Sequence, residues 1–263
     1  MGVLNVTPDS FSDGGRYLRS SDAVAHGRQL IAEGADLVDV GGESSRPGAR
    51  PVPEDEEMRR VLPVIEELAG EVRLSVDTTK PAVARAAVAA GATLVNDISG
   101  RLFPVAAELE VGWVAMHMRG TPADMQDDPR YGDVVAEVER HLRSLLEQAA
   151  AAGVPELWAD PGIGFGKTAA HNVQLLRHLP ALAATASALG AALMVGTSRK
   201  GFLGGLVSSP GTPPAPVHDR LEASLATATW AMACGARMVR VHDVAPTVAA
   251  ARLVGPPAGT EAA

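Results

Sequence analysis

The sequence predicts an α/β fold, a single-domain (β/α)8 TIM barrel, and three observations carry this prediction. Short apolar runs alternate with longer amphipathic, Ala-rich stretches, a pattern typical of parallel strands covered by helices on both faces. The alternation occurs eight times along the chain. The length of 263 residues is close to that of one such barrel, so no second domain is required. An open, doubly wound sheet is the alternative.

The candidate strands are the short apolar runs at residues 2–6, 36–41, 72–77, 93–97, 112–117, 157–160, 192–196 and 238–242. The intervening stretches, for example residues 22–35 and 133–153, place apolar residues at helical spacing. Several of them end in Gly followed by Ala or Val, which predicts a helix cap leading into the next strand. We assign residues 1–255 to the barrel. The Pro-rich segment 207–219 is expected to be a mobile surface excursion, and residues 256–263 a disordered tail.

Charge and composition exclude several classes of protein. The formal net charge of −8, from 31 acidic and 23 basic residues, argues against a nucleic-acid surface, because no basic stripe is available to displace phosphate counterions. No run approaches the about 20 apolar residues of a membrane span, and no secretion signal precedes the first strand. The single Cys234 excludes an intrachain disulfide. A cytoplasmic protein with a small-molecule ligand is expected.

Polar side chains stand at the carboxyl ends of nearly all the predicted strands, where barrels of this type place their active sites. The residues at these ends are Asn5, Ser45 with Arg46, Asp77, Asn96 with Asp97, His117 preceded by the apolar Met116, Asp160, Ser198 with Lys200, and Arg240 with His242. One or two would be unremarkable, but a polar residue at almost every strand end predicts a ring facing one cavity.

Each residue also has a simpler interpretation. Asp77 can cap the helix that begins near Pro81, and Asn96, Asp97 and Asp160 can form turns. Arg240 can pair with the neighbouring Asp243. A histidine such as His117 is more often a hydrogen-bonded core residue than a catalyst. Their joint occurrence favours a site.

The distribution of charge suggests the ligand. Acids and amides cluster on the third, fourth and sixth strands, whereas the cations follow the seventh and eighth, where barrels often bind phosphate. We therefore expect a nitrogen heterocycle joined to a phosphate or diphosphate. Asp77, Asn96 and Asp160 would accept hydrogen bonds from the ring. Arg46, Arg240 and His242 would hold the phosphates, with Mg²⁺ taking the Asn5 amide oxygen.

Seven segments, in this order and spacing, resemble the bacterial dihydropteroate synthases, a family of pterin-binding enzymes. They are "GVLNVTPDSFSDGG", "VDVGGESSRPGA", "SVDT", "NDISG", "DPGIGFGKT", "GTSRKGF" and "RVHD". The resemblance runs from residue 2 to about residue 250. "NVTPDSFSDGG" and "SSRPGA" are specific signals, whereas "SVDT" or "RVHD" alone would be weak. Members commonly carry a segment before the first strand that covers the barrel floor, and here Met1 adjoins that strand.

The resemblance implies a reaction and a set of site residues. The family joins 4-aminobenzoate to the methylene carbon of dihydropterin-methyl diphosphate and releases diphosphate, with Mg²⁺ as cofactor and a homodimer as the expected assembly. The implied pterin contacts are Asp77, Asn96, Ile98, Met116, Asp160, Lys200 and Arg240. The implied diphosphate contacts are Asn5, Ser45, Arg46, Arg240 and His242, with Asn5 also on the metal. The implied aminobenzoate contacts are Phe11, Ser45, Arg46, Pro47, Phe165, Ser198 and Lys200. Asp77, Lys200, Arg240 and His242 are the expected catalytic residues.

Three other functions fit parts of the pattern. A corrinoid-dependent methyltransferase that binds methyltetrahydrofolate would share the acid-and-amide face but has no need of the cationic one. A silent pterin-binding paralogue would not need every motif position filled. A Schiff-base aldolase would use Lys200, which however stands beyond its strand beside Arg199.

Overall fold

Eight parallel strands form one curled sheet in the order of the chain. The computed structural model describes residues 1–7, 16–46, 48–49, 51–209 and 211–254, without the side chains of residues 16–19. The strands are β1 (Gly2–Asn5), β2 (Leu37–Gly41), β3 (Arg73–Asp77), β4 (Leu94–Asp97), β5 (Gly112–Met116), β6 (Leu157–Asp160), β7 (Ala191–Val195) and β8 (Met238–Val239). A doubly wound sheet reverses its strand order at a switch point. The strictly sequential order here excludes that alternative.

Helices fill the connections between strands, as predicted. They are α1 (Arg16–Ala32), α2 (Glu54–Leu68), α3 (Pro81–Ala89), α4 (Phe103–Glu108), α5 (Val134–Ala151), α6 (Ala169–Arg177), α7 (Leu179–Ala188), α8 (Gly201–Val207), α9 (Leu221–Ala233) and α10 (Val244–Val254). The connections after β6 and β7 each contain two helices rather than one. Pro180 lies in the first turn of α7, where a proline begins a new helix more readily than it continues an old one.

The edge between β8 and β1 differs from the others. Seven ladders join consecutive strands from β1 to β8, whereas the two end strands meet at a single parallel bridge between Gly2 and Val241. The amide of Val3 donates to the Val241 carbonyl at 2.9 Å, and the Val241 amide donates to the Met1 carbonyl at 3.0 Å. The α/β fold with eight parallel strands is confirmed, and the sheet curls until its ends meet at this bridge without a full ladder.

The core has two parts, which follow the two faces of the sheet. The larger part packs between the outer face and the helices and includes the fully buried Leu4, Ile65 and Trp113. The smaller part fills the inside of the curled sheet with Met1, Leu37, Leu94, Val114 and Met194, against which Trp158 and Met238 pack. We call this inner group the apolar plug. It forms a floor beneath the carboxyl ends of the strands.

The predicted glycine caps are present where helices lead into strands. Gly34 after α1 and Gly153 after α5 have φ values of 98° and 87°, a left-handed conformation that glycine adopts without steric cost. At the other end of α5, the Asp133 carboxylate accepts from the amides of Val135 and Ala136, a standard N-cap. Of the described helices, none is long and apolar enough to cross a membrane.

Candidate functional site

Polar residues stand directly above the apolar plug because strand side chains alternate between faces. Four plug residues are each followed, two positions later, by a polar one on the same face. The pairs are Leu37 and Asp39, Leu94 and Asn96, Trp158 and Asp160, and Met238 and Arg240. Because of this alternation, the inner face of these strands is apolar at the plug and polar two residues later. The polar side chains line a space inside the curled sheet, which we call the chamber.

Arg240 is the centre of this chamber. Its Nε donates to Asp39 Oδ2 at 2.6 Å and its Nη2 donates to Asp77 Oδ2 at 2.8 Å. Asn96 Nδ2 donates to the same Asp39 oxygen at 2.9 Å. The Asp39 side chain is fully buried and that of Arg240 is 21% exposed. Two carboxylates thus hold one guanidinium in place, with Asp39 also fixing the amide of Asn96.

The strand-end pattern does not predict Asp39, which lies inside a strand rather than at its end. The sequence feature that could have identified Asp39 is a carboxylate in the middle of the apolar run Leu37–Gly41. An acidic residue is rarely buried without a partner. Its second oxygen, Oδ1, has no hydrogen-bond partner among the described residues. Asp39 therefore keeps a free acceptor in the chamber.

Burial shifts the charge state of Asp77. Removal from water raises the pKa of its carboxyl group to about 7, against the opposing effect of Arg240. Burial acts to lower the pKa of Arg240, but Asp39 and Asp77 outweigh it, so the pKa of Arg240 is raised. Arg240 thus stays charged, whereas Asp77 changes charge near neutral pH.

Asp160, Lys200 and Arg240 lie close together around the space beside Gly196, which we call the hollow. A Cβ built on Gly196 would lie 3.6 Å from Arg240 Cβ and 3.9 Å from Lys200 Nζ, so the glycine leaves open space between the two cations. Burial raises the pKa of Asp160 while Lys200 opposes that shift. Burial also lowers the pKa of Lys200 to about 8.

Lys200 is also in contact with the loop that follows β6. Its ammonium donates to the carbonyl of Ile163 and lies 4.6 Å from the centre of the Phe165 ring, within the range of a cation–π interaction. Phe165 and Lys200 therefore lie against each other at one side of the hollow.

Ser198 and His242 form a second polar group beside the hollow. The amide of His242 donates to Ser198 Oγ at 3.1 Å, and the ring Nδ1 is 3.0 Å from the same hydroxyl. Burial is the largest influence on His242, and with Arg240, Arg199 and Arg46 it lowers the pKa to about 3. His242 is therefore neutral at physiological pH, and Arg46 is near enough to influence it.

Arg199, between Ser198 and Lys200, adopts a left-handed backbone with φ 59°. Its amide donates to Ser224 Oγ at 2.9 Å, and its guanidinium donates to both Asp243 oxygens at 3.0 and 2.5 Å. A non-glycine residue in this region is strained and must be held by its surroundings. The pairing of Arg240 with Asp243, considered from the sequence, is wrong, because Asp243 pairs with Arg199.

Asp97 and His117 have structural roles, as their simpler interpretations suggested. The Asp97 carboxylate accepts from the amides of Arg101 and Leu102, both at 2.7 Å, and so fixes the turn before α4. His117 Nδ1 is 2.9 Å from the ammonium of Lys167. The other simple interpretation, Asp77 as a helix cap, is wrong, because Lys80 occupies the cap position of α3 and Asp77 binds Arg240.

Asn5, Ile98 and Met116 lie around the same chamber. Asn5 and Asp77 are in register with Gly41 from opposite sides, and Asn5 Oδ1 lies 3.7 Å from the position that a Gly41 Cβ would take. Met116 pairs in register with Asp160. Ile98 and Asp77 line a cavity of about 350 Å³ that extends between the loops after β2 to β5 and includes Ser45.

Two predicted site residues, Phe11 and Pro47, lie outside the described residues, as does the whole of the predicted tail at residues 256–263. Ala215, in the Pro-rich segment, makes two hydrogen bonds to neighbouring elements. Its amide donates to the Gly204 carbonyl at 3.1 Å, and the Ala215 carbonyl accepts from Arg220 Nε at 2.8 Å.

The chamber can bind a flat, polar ring and an adjacent anion. Carboxylate and amide groups of Asp39, Asn96 and Asp160 accept from or donate to ring substituents, and two cations lie beside them. Within the described ranges, no cluster of three His, Cys, Asp or Glu residues is able to hold a metal ion by itself.

Known proteins of similar sequence and structure fit this description. A sequence model of the pterin binding enzyme family matches residues 1–242. Dihydropteroate synthase of Mycobacterium leprae is 47% identical over 97% of this chain and 92% of its own length. The structure of Xanthomonas albilineans dihydropteroate synthase with 4-aminobenzoic acid has a TM-score of 0.86 at 49% identity, covering 96% of this chain and 90% of that one. The same enzyme in complex with 7,8-dihydropteroate gives 0.81 at 46% identity, covering 96% and 90%.

Proposed function

Because this chain belongs to the pterin-binding enzyme family, we propose that it is a dihydropteroate synthase of folate biosynthesis. It condenses 6-hydroxymethyl-7,8-dihydropterin diphosphate with 4-aminobenzoate to give 7,8-dihydropteroate and diphosphate. One observation carries the proposal beyond similarity: Asp160, Lys200 and Arg240 surround one hollow, with Gly196 leaving the space between the two cations. Acceptors for a heterocycle and charges for its anionic group are thus adjacent.

The pterin ring would occupy the chamber above the apolar plug. Asp77, Asn96 and Asp160 would bind its ring nitrogens and amino group, and the Arg240 guanidinium would stack on it, since two carboxylates hold that group. Ile98, Met116 and Lys200 would complete the contacts. Phe11 and Pro47 belong to the proposal only through the sequence, whereas Phe165, Ser198, Ser45 and Arg46 would form the aminobenzoate side.

The diphosphate would lie toward Arg46, Arg240, Ser45 and His242. Arg46 and Arg240 both lower the pKa of His242, which supports a cationic environment around the imidazole. A neutral His242 donates a hydrogen bond to a phosphate oxygen without adding charge.

The residues present fit Mg²⁺ as a cofactor that binds together with the substrate. Asn5 offers an amide oxygen at the end of β1, beside the space that Gly41 leaves open, and its side chain makes no hydrogen bond within the described residues. Mg²⁺ commonly takes one or two protein oxygens and completes its shell with phosphate oxygens and water. When bound, it would supply charge neutralisation to the leaving diphosphate.

The proposed chemistry is an SN1-like displacement. The bond between the methylene carbon and the diphosphate oxygen breaks, and its electron pair leaves with the diphosphate. The arylamine nitrogen then bonds to the carbon, and its excess proton passes to the released diphosphate. Ionised Asp77 stabilises the positive charge on the pterin, so neither a nucleophilic residue nor a general base is required. The buried walls limit access of water to the cation.

Three further features are proposed for the enzyme as a whole. The bridge between Gly2 and Val241 supports a closed (β/α)8 barrel. Exposed apolar side chains on α8 and α9, with Leu206 at 53% and Trp230 at 49%, support a homodimer formed by outer helices. The acidic composition and single cysteine support a cytoplasmic location.

The direct test is incubation with the dihydropterin diphosphate, 4-aminobenzoate and Mg²⁺. Dihydropteroate and diphosphate are expected in equal amounts. Folded protein that binds the pterin but forms neither product would contradict the proposed activity and favour a silent paralogue. Reduction with borohydride in the presence of an aldehyde would trap Lys200 only in a Schiff-base enzyme, and no adduct is expected.

A further inference from the structure

Lys167, in the loop between β6 and α6, is a buried lysine whose role is not explained by substrate binding. Its side chain is buried, with the residue only 3% exposed. Across the described part of the chain, no carboxylate lies within salt-bridge distance of it. A buried ammonium normally has such a partner, since the loss of hydration is otherwise uncompensated.

The Lys167 ammonium binds neutral acceptors of two loops instead. Its Nζ donates to the carbonyls of Gly162 at 2.9 Å, Phe165 at 3.0 Å and His117 at 3.2 Å, and lies 2.9 Å from His117 Nδ1. Three N–H groups are thus shared among four acceptors. The ammonium ties the β6–α6 loop to the end of β5.

Two of these contacts lead directly to the site. Gly162 donates its amide to Asp160 Oδ1 at 2.8 Å and its carbonyl accepts from Lys167, so a single residue, Gly162, links the lysine to a carboxylate of the hollow. Phe165 accepts through its carbonyl, and its ring lies under the Lys200 ammonium. Lys167 therefore holds the loop through the backbone of two residues that adjoin the site.

The rest of the loop has anchors that do not depend on Lys167. Tyr131 donates its hydroxyl to the Gly166 carbonyl at 2.8 Å, and Gln126 donates to the Gly164 carbonyl at 2.8 Å. Gly162 is packed so closely that an added Cβ would lie 1.8 Å from the His117 carbonyl oxygen. We expect these anchors to keep the backbone path of the loop in the absence of Lys167. The Phe165 carbonyl, however, would lose the donor that Lys167 supplies.

We propose that Lys167 is a positioning residue of the enzyme, which sets the Phe165 wall against Lys200 and thereby controls the binding of 4-aminobenzoate. The proposal rests on the function proposed above. Lys167 touches neither substrate. It acts through the carbonyls of Gly162 and Phe165, so its removal affects the loop-borne wall more than the strand-borne pterin contacts Asn96 and Arg240.

The test compares Lys167→Met and Lys167→Gln with the wild type in steady-state assays against each substrate. Lys167→Met keeps the length of the side chain and removes every donor. We expect it to raise the KM for 4-aminobenzoate by about 10- to 100-fold, as for other displaced positioning groups. The KM for the pterin diphosphate should change by less than about threefold, because β3, β4 and β6 hold its contacts Asp77, Asn96 and Asp160. Lys167→Gln retains two N–H donors, so its KM for 4-aminobenzoate should fall between those of wild type and Lys167→Met.

The matched control is Leu146→Ala, a cavity in the fully buried face of α5. It should cost at least as much thermal stability but leave both KM values near those of wild type.

Equal changes in both KM values, or none, in folded Lys167 variants would overturn the proposal. Should Lys167→Met fail to fold, Lys167→Gln carries the same comparison. A wild type without product would contradict the proposed function, and the Lys167 proposal with it. An active wild type with unaltered variants would contradict only the latter.

Discussion

We expect Asp39→Asn to destabilise the protein strongly, although the two side chains have nearly the same size. Asp39 Oδ2 accepts from Arg240 at 2.6 Å and from Asn96 at 2.9 Å, and the side chain is fully buried. The amide removes the negative charge and supplies a donor where two donors already converge. Arg240 then remains buried with Asp77 as its single charged partner.

The magnitude follows from the cost of breaking a buried ion pair. Removal of one partner costs about 3 to 5 kcal/mol, because the other charge is left uncompensated. Asp77 still binds Arg240 Nη2 at 2.8 Å, so we expect the lower end, about 3 kcal/mol. At roughly 2 to 4 °C per kcal/mol for a chain near this size, the Tm should fall by about 6 to 12 °C.

The assay is urea and thermal unfolding followed by far-ultraviolet circular dichroism, with Asp243→Asn as the matched control. Asp243 also pairs with an arginine, but the Arg199 and Asp243 side chains are 39% and 24% exposed. Solvent screening limits that pair to about 1 kcal/mol or less. If Asp39→Asn and Asp243→Asn cost the same, the argument that burial makes Arg240 dependent on Asp39 is refuted.

Three further substitutions test separate parts of the site. Asp77→Asn should lower turnover by about 100-fold. Because burial raises the pKa of Asp77 to about 7, wild-type kcat/KM should rise as the pH passes upward through about 7, a limb that the variant lacks; an unaffected rate would rule out its electrostatic role. The free energy of unfolding of Arg199→Gly, measured with urea, should exceed that of Arg199→Ala by about 1 kcal/mol. Both variants lose the pair with Asp243, but only glycine tolerates φ 59° without strain. The reverse order would show that the backbone there is not strained. Asn5→Leu should raise the Mg²⁺ concentration for half-maximal rate by at least about tenfold, and an unchanged requirement would remove Asn5 from the metal site.

Local sequence was sufficient for most of the fold. Each strand was predicted within a few residues, because runs of apolar residues bounded by Gly and Pro are specified by neighbours along the chain. The glycine caps followed for the same reason. β8 is the exception, since only Met238–Val239 pairs as a ladder where residues 238–242 were expected. The second helices after β6 and β7 are also not predicted, because the alternation of strand and helix requires one helix per connection.

The position of site residues at strand ends was also predictable, since a side chain two positions beyond an inner apolar residue faces the same interior. The partners of those residues were not. Arg240 is 201 positions from Asp39 and 163 from Asp77, yet it binds both in preference to Asp243, three positions away. Lys167 likewise gave no signal of its own, because its acceptors are backbone carbonyls, which every sequence supplies.

The sequence by itself determined the strands and most of the helices, and which face of each strand is apolar. It also determined at which strand positions polar side chains follow the apolar plug residues. The tertiary structure alone decided which charge compensates which. The physical reason is that hydrophobic periodicity is a property of neighbouring residues, whereas the pairing of buried charges depends on the curl of the sheet, which brings together the second, third and eighth strands.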